Sequence, residues 1–246
     1  MKKNILLFFL ITLAKVTIAQ TNPFDSLKLL LQKEQKEDTT RVKRLIYLSG
    51  GYIYFKPDTT LLLAQQAAEL SKKIKFPNGE AMALNTIGRA FSSTGDNPKA
   101  LTAYFSSLEK WENIQDLQNI SIAYLNIGVV YLDMKSYQDG LTYFLKAKAI
   151  AEKLQDERRI IRCNLNIGDT YEKLNQLDSA KKYTDLAKES AIRTNDLQVI
   201  GATFNNLGNI YLKWKMNEKA MNNYKSSLTY YGTVGDDEGY CEVTLG

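Results

Sequence analysis

Leu125-Asn126-Ile127-Gly128 returns one repeat later as Leu165-Asn166-Ile167-Gly168. Looser copies precede it at Leu84-Asn85-Thr86-Ile87-Gly88 and follow it at Asn205-Asn206-Leu207-Gly208. The motif thus recurs at a step of about 40 residues. Gly88, Gly128, Gly168 and Gly208 keep that step, as do the aromatics Phe91, Tyr131, Tyr171 and Tyr211. Small residues hold two more registers, at Ala100, Gly140, Ala180 and Ala220 and at Ser107, Ala147, Ala187 and Ser227. The acids Asp116, Asp156, Asp196 and Asp236 hold a fifth. Independent registers in phase over several units are the mark of an internal structural repeat.

Each register has a packing reason. A glycine within a helix costs about 1 kcal/mol relative to alanine, so its recurrence implies a backbone approached too closely for a side chain. The small residue twelve positions on is where a second helix is expected to press against it. The aromatic three residues after the glycine shares its helical face and can fill the space beside that contact. Polar turns separate the two helices, and Asn97 before Pro98 reads as an N-cap with proline in the first turn; Ser136 and Asn217 are expected to cap likewise. The recurrent aspartates fall at the opposite turn. They are expected to cap the following helix, where a carboxylate suits the N-terminus, rather than to serve acid catalysis or bind a metal.

Composition agrees with an all-α chain. Only four prolines occur, the Val/Ile/Thr alternation of strands is missing, and 44% hydrophobic with 24% charged residues is ordinary for a folded protein. The formal charge of +5 owes three lysines, Lys2, Lys3 and Lys15, to an acid-free N-terminal stretch; the remainder holds 29 basic against 27 acidic residues. No basic stripe with interleaved aromatics is left to follow a phosphate backbone, so nucleic acid is not an expected partner.

The spacing Ile87-Gly88, Phe91, Ala100, Tyr104 and Ser107 resembles the tetratricopeptide repeat. Ile127-Gly128, Tyr131, Gly140, Phe144 and Ala147 repeat it, followed by Ile167-Gly168, Tyr171, Ala180 and Ala187, then Leu207-Gly208, Tyr211, Ala220, Tyr224 and Ser227. Thr184 replaces the second aromatic of one unit, with Tyr183 beside it. The family's closing proline is missing, and the step exceeds the family's usual length of about 34 residues, as in an extended variant found in exported and regulatory bacterial proteins. The resemblance implies a right-handed α-α superhelix of about five helix pairs. Its units are expected at 39–76, 77–116, 117–156, 157–196 and 197–236, after a lead-in over 20–38. The first unit is degenerate, as terminal repeats often are. An incomplete sixth over 237–246 would leave an apolar face at Tyr240, Cys241, Val243 and Leu245 uncovered, which suggests a fragment or a truncated product.

Residues 1–19 open on Lys2-Lys3 and carry an apolar run from Ile5 to Ala14, then Thr17-Ile18-Ala19 before Gln20, the layout of a secretory signal peptide cut after Ala19. A membrane anchor is the alternative, but a bilayer span needs about twenty apolar residues. The expected destination is the periplasm or envelope of a Gram-negative bacterium. Cys163 and Cys241 lie nearly two units apart, too far for a disulfide in a stacked array, and read as small buried hydrophobes.

Helix-pair solenoids line their concave side with the first helix of each unit, and that side can hold a peptide or a partner helix. The family pattern implies Asn85, Arg89, Leu125, Val129, Leu165, Asp169, Asn205 and Asn209 as the inward-facing set. Asn126, Asn166 and Asn206 recur beside it and are expected to bond backbone or one another between repeats, with a ligand role as the alternative. No dense Lys/Arg set for gripping a C-terminal carboxylate is visible. The chain has no histidine, no phosphate-binding loop, no Gly-x-Ser-x-Gly and no paired cysteines, so neither enzyme activity nor a cofactor or metal is expected. Two functions remain open: an exported scaffold that binds a protein or peptide, and the extracytoplasmic sensor region of a histidine kinase or transcriptional regulator.

Overall fold

Seventeen residues of helix and three of turn form the half-unit of the chain, and the turn is built the same way at nearly every junction. One residue in each turn takes the left-handed conformation: Lys75, Gly95, Gln115, Lys135, Gln155, Asn175, Asn195, Lys215 and Gly235, evenly spaced and two to each repeat unit. Beside it the Asp116 N–H bonds the Trp111 carbonyl at 3.0 Å and the Gln115 N–H bonds the Glu112 carbonyl at 3.0 Å, the paired bonds of a Schellman stop. The same pair recurs at Ser136 and Lys135, at Asp156 and Gln155, and at Gln176 and Asn175.

The computed structural model describes residues 23–33 and 35–235. It places α1 at Pro23–Lys33, α2 at Thr39–Tyr52, α3 at Pro57–Lys73, α4 at Pro77–Ser93, α5 at Asn97–Asn113 and α6 at Leu117–Asp133. Then follow α7 at Tyr137–Lys153, α8 at Glu157–Lys173, α9 at Leu177–Thr194, α10 at Leu197–Lys213 and α11 at Asn217–Val234. Among the described residues every regular element is helical, none of them long and apolar enough to cross a membrane. The leader over 1–19, Asp236, Cys241 and the incomplete unit over 237–246 lie outside the described residues.

The aspartate register caps as expected. Asp116, Asp156 and Asp196 accept from the backbone N–H groups of Asn119, Arg159 and Val199 at 3.1, 3.0 and 3.2 Å. The other junctions differ from the sequence reading. Asp96, not Asn97, caps α5 by accepting from the Lys99 N–H, because Asn97 already lies in the first turn. Ser136 stands at the cap of α7, but its hydroxyl donates to Asp139 Oδ2 at 2.7 Å instead of meeting the backbone. Met216, not Asn217, is the cap residue of α11.

The glycines do mark close approach, but the group pressed on most of them is a ring sixteen residues on. A Cβ on Gly88 would lie 2.6 Å from the Tyr104 ring, one on Gly128 2.5 Å from Phe144, and one on Gly208 2.4 Å from Tyr224. Where Thr184 replaces the ring, the backbones close in: a Cβ on Gly168 would meet Thr184 Oγ1 at 2.5 Å and the Ala180 carbonyl at 3.3 Å. The expected small-residue contact is present too, since a Cβ on Gly140 would stand 3.1 Å from the Gly128 carbonyl. Tyr131 and Tyr171 stack on Tyr143 and Tyr183, each with ring centroids 5.5 Å apart. Tyr183 thus keeps a stacking partner in the unit whose buried ring is lost.

The backbones of the first helices approach one another along the stack, α2 to α4, α4 to α6, α6 to α8 and α8 to α10, while those of α3, α5, α7, α9 and α11 approach only their sequence neighbours, α5 and α7 meeting through the Phe105 and Tyr143 rings. An array whose one row is crowded and whose other row is splayed curves toward the crowded row, so the first helices form the inner, concave wall. Polar bonds tie this wall across units. Asn126 Nδ2 donates to Asn85 Oδ1 at 2.9 Å, and Lys213 Nζ donates to the Glu172 carbonyl at 2.8 Å while pairing with its buried carboxylate at 2.6 Å.

Candidate functional site

The inner wall of α4, α6 and α8 bounds a concave volume of about 1790 Å3. Helix periodicity decides which side chains reach it. On α6, Ile122, Leu125, Asn126 and Val129 recur at the three- and four-residue steps that share a face. α4 contributes Asn85 and Arg89 by the same four-residue step, and α8 contributes Arg158, Arg162 and Asn166. Arg89 and Val129 are exposed; Asn85 and Leu125 are half-buried.

Of the eight residues expected to face inward, the structure therefore brings four together: Asn85, Arg89, Leu125 and Val129. The other four do not line this volume. Leu165 packs on the cluster of Ile161, Ala191, Val199 and Ile200. Asn205 is only 6% exposed, so it cannot offer the open face the repeat pattern implied. Asn209 accepts from the Tyr224 hydroxyl at 2.7 Å, and Asp169 stands 3.9 Å from Lys173 in the same helix. The pattern assigns two positions per unit to the wall, whereas in the two later units these positions pack against or bond to neighbouring side chains. The asparagine register splits as well: Asn126 bonds Asn85 across units, and both it and Asn166 line the volume.

Arg158 and Arg162 escaped the sequence reading. They stand four residues apart on the first helix of their unit, which is the signal that could have placed them on one face. The acids nearby are engaged. Asp156 caps Arg159 and its Oδ2 lies 3.2 Å from Arg159 Nη1, Glu157 is held by Arg193, and Asp196 caps Val199.

A second concavity of about 210 Å3 adjoins the first through Arg89, Asn126 and Val129 and adds Ile53, Tyr54, Ser92, Ser93 and Tyr104. Burial pushes the Tyr104 phenol well above its ordinary value against the opposing pull of Arg89, so it stands as a neutral hydroxyl. Tyr54 is 77% exposed at the end of α2. Among the described residues no group of three or more metal-ligating side chains forms, and Cys163 is buried with its thiol pushed up to about 12 by desolvation. The surface offers hydrogen bonds, apolar contact and cationic charge.

Residues 119–189 and residues 202–232 match models of the tetratricopeptide repeat. Both stretches are recognised as tetratricopeptide repeat, and together they span less than half of the chain. The first runs from α6 through α7 and α8 into α9, and so includes the α6 and α8 walls of the concavity. The repeats' architecture recurs in BtubC (BKLC) from P. vanneervenii, at 16% identity over 86% of this chain and 91% of that one, with a TM-score of 0.72. A Rap protein complexed with Competence and Sporulation Factor matches at 17% identity over 90% of this chain and 67% of that one, TM-score 0.69. YrrB, a tetratricopeptide-repeat protein with an unusual peptide-binding site, matches at 15% identity over 91% and 100% of the two chains, TM-score 0.51. At these identities the likeness is one of fold. No curated protein matches the chain in sequence.

Proposed function

We propose that the chain is a tetratricopeptide-repeat scaffold that holds a protein or peptide in its concave wall and catalyses nothing itself. The observation that carries this reading is the concavity of about 1790 Å3 between first helices, where Arg89 and Val129 stand exposed beside the half-buried Leu125. Small-molecule pockets enclose about 300–1,000 Å3, so a chain-like ligand suits it better. Two structural neighbours are themselves named for a bound factor or a peptide site. The leader-like residues 1–19 support export to a bacterial envelope, and a fusion of residues 1–30 to alkaline phosphatase tests that separately.

Peptide display against the full chain tests the binding reading. Selected peptides are expected to lose affinity by at least about tenfold on Leu125→Asp/Val129→Asp and to keep it on Leu145→Asp, a change to an exposed residue of the outer helix α7. Peptides that ignore the first pair and respond to the second contradict it.

A further inference from the structure

We propose, resting on the binding reading above, that the preferred occupant is a peptide segment of a protein partner that joins apolar residues to side-chain carboxylates. Its carboxylates meet Arg158 and Arg162 on α8, and its apolar residues lie over Ile122, Leu125 and Val129 on α6 toward Tyr54.

Charge accounting within the wall carries the proposal. Asp156, Glu157 and Asp196 are each committed, to helix caps at Arg159 and Val199 or to the ion pairs with Arg159 and Arg193. Arg89, Arg158 and Arg162 make no ion pair among the described residues, and all three are exposed to the same volume. A concave, low-dielectric wall focuses the field of such charges on what enters it. Guanidinium groups bind carboxylates in a bidentate fork, which a flexible ammonium does not reproduce. The position of these arginines, on α4 and α8 with the apolar face of α6 between them, therefore asks for a ligand of matching order.

The same wall argues against nucleic acid. Among the described residues no aromatic side chain lines the larger volume, so bases would find no stacking platform there, and the apolar strip of α6 interrupts the cationic path a phosphate backbone follows. The smaller concavity gives the peptide a direction, because Tyr54 and Tyr104 lie at the end remote from α8.

The test uses the full chain and three fluorescein-labelled, C-terminally amidated peptides read by anisotropy. One is Asp-Glu-Asp-Glu-Gly-Leu-Ile-Leu-Phe; the second replaces its acids with lysine; the third replaces its apolar residues with serine. The first is expected to bind at least about tenfold tighter than either control and to weaken as salt rises from about 0.05 to 0.5 M. Arg158→Glu/Arg162→Glu is expected to lower its affinity by at least about tenfold while the melting temperature holds, and Arg158→Lys/Arg162→Lys to recover only part of it. Equal binding of the acidic and lysine peptides, or indifference to the arginine reversal, overturns the proposal. So does displacement of the acidic peptide by an oligo-dT strand at comparable concentration. If display-selected peptides depend on Leu125 and Val129 but carry no excess of acids, this inference falls while the scaffold reading stands.

Discussion

Gly128 on α6 lies beneath the Phe144 ring of α7, and a Cβ there would stand 2.5 Å from the ring edge. Phe144 is fully buried, so the ring has nowhere to move. Gly128→Ala is therefore expected to destabilise by about 1–2 kcal/mol, overpacking outweighing the roughly 1 kcal/mol of helix propensity gained. Gly50→Ala on α2 is the control, because nothing lies within 4 Å of a Cβ there, and it is expected to gain about 0.5 kcal/mol. Urea midpoints of the two variants, moving in opposite directions, are the check.

The cap register predicts unequal effects from similar substitutions. Asp116 accepts from both the backbone and the side chain of Asn119, at 3.1 and 2.7 Å, so Asp116→Ala is expected to lose about 1 kcal/mol. Ser136 makes no cap bond, and Ser136→Ala is expected to stay within about 0.5 kcal/mol of the parent by thermal melts.

Acid should weaken the array through its carboxylate caps. The Arg41 N–H holds the Asp38 carboxyl below its ordinary value, and the Lys99 ammonium does the same for Asp96. A carboxyl whose folded pKa is depressed stabilises above its unfolded pKa, and that contribution is lost as pH falls through the folded one. Asp38→Asn/Asp96→Asn is expected to flatten the decline in urea midpoint between about pH 5 and pH 2. An unchanged acid limb contradicts these assignments.

The half-unit turns offer a gain. Lys135 has φ of 60°, a region that costs an L-residue about 1–2 kcal/mol and glycine little. Against the extra entropy glycine loses on folding, Lys135→Gly is expected to stabilise by about 0.5 kcal/mol. Gly95→Ala, at φ 77° in the equivalent turn, is expected to lose about 1 kcal/mol. Differential scanning calorimetry resolves both.

How much of this was written in the sequence depends on whether one side chain or several decide the feature. Gly88, Gly128, Gly168 and Gly208 were legible because a single residue type satisfies a close approach made in each of the four later units. The aspartate caps were legible for the same reason. The half-unit was not, since lysine, glutamine, asparagine and glycine all occupy its left-handed position and the backbone bonds around it need no particular side chain. Asp96 was misread in favour of Asn97 because two capping residues stand side by side before Pro98. The arginine wall was illegible for a geometric reason. Arg89 and the pair Arg158 and Arg162 hold different positions in the repeat, and only the stacking of α4, α6 and α8 gathers them. Asn205 failed as a wall residue because α10 packs tightly enough to bury it.

Cys163 gives a probe of the packing. Burial pushes its thiol up to about 12, so at neutral pH it stays protonated as well as covered. In a Cys241→Ser background, dithionitrobenzoate is expected to react only as fast as the chain opens, with full reactivity in urea. Immediate reaction of the native protein contradicts the packing of α8 on α7.

The most direct measurement is a crystal structure of the chain with a display-selected peptide. The peptide is expected along α4, α6 and α8, with side-chain carboxylates at hydrogen-bond distance from Arg158 or Arg162 and apolar atoms within about 4 Å of Val129. A peptide seated on the outer helices α5, α7 and α9, with the concave wall empty, contradicts the account.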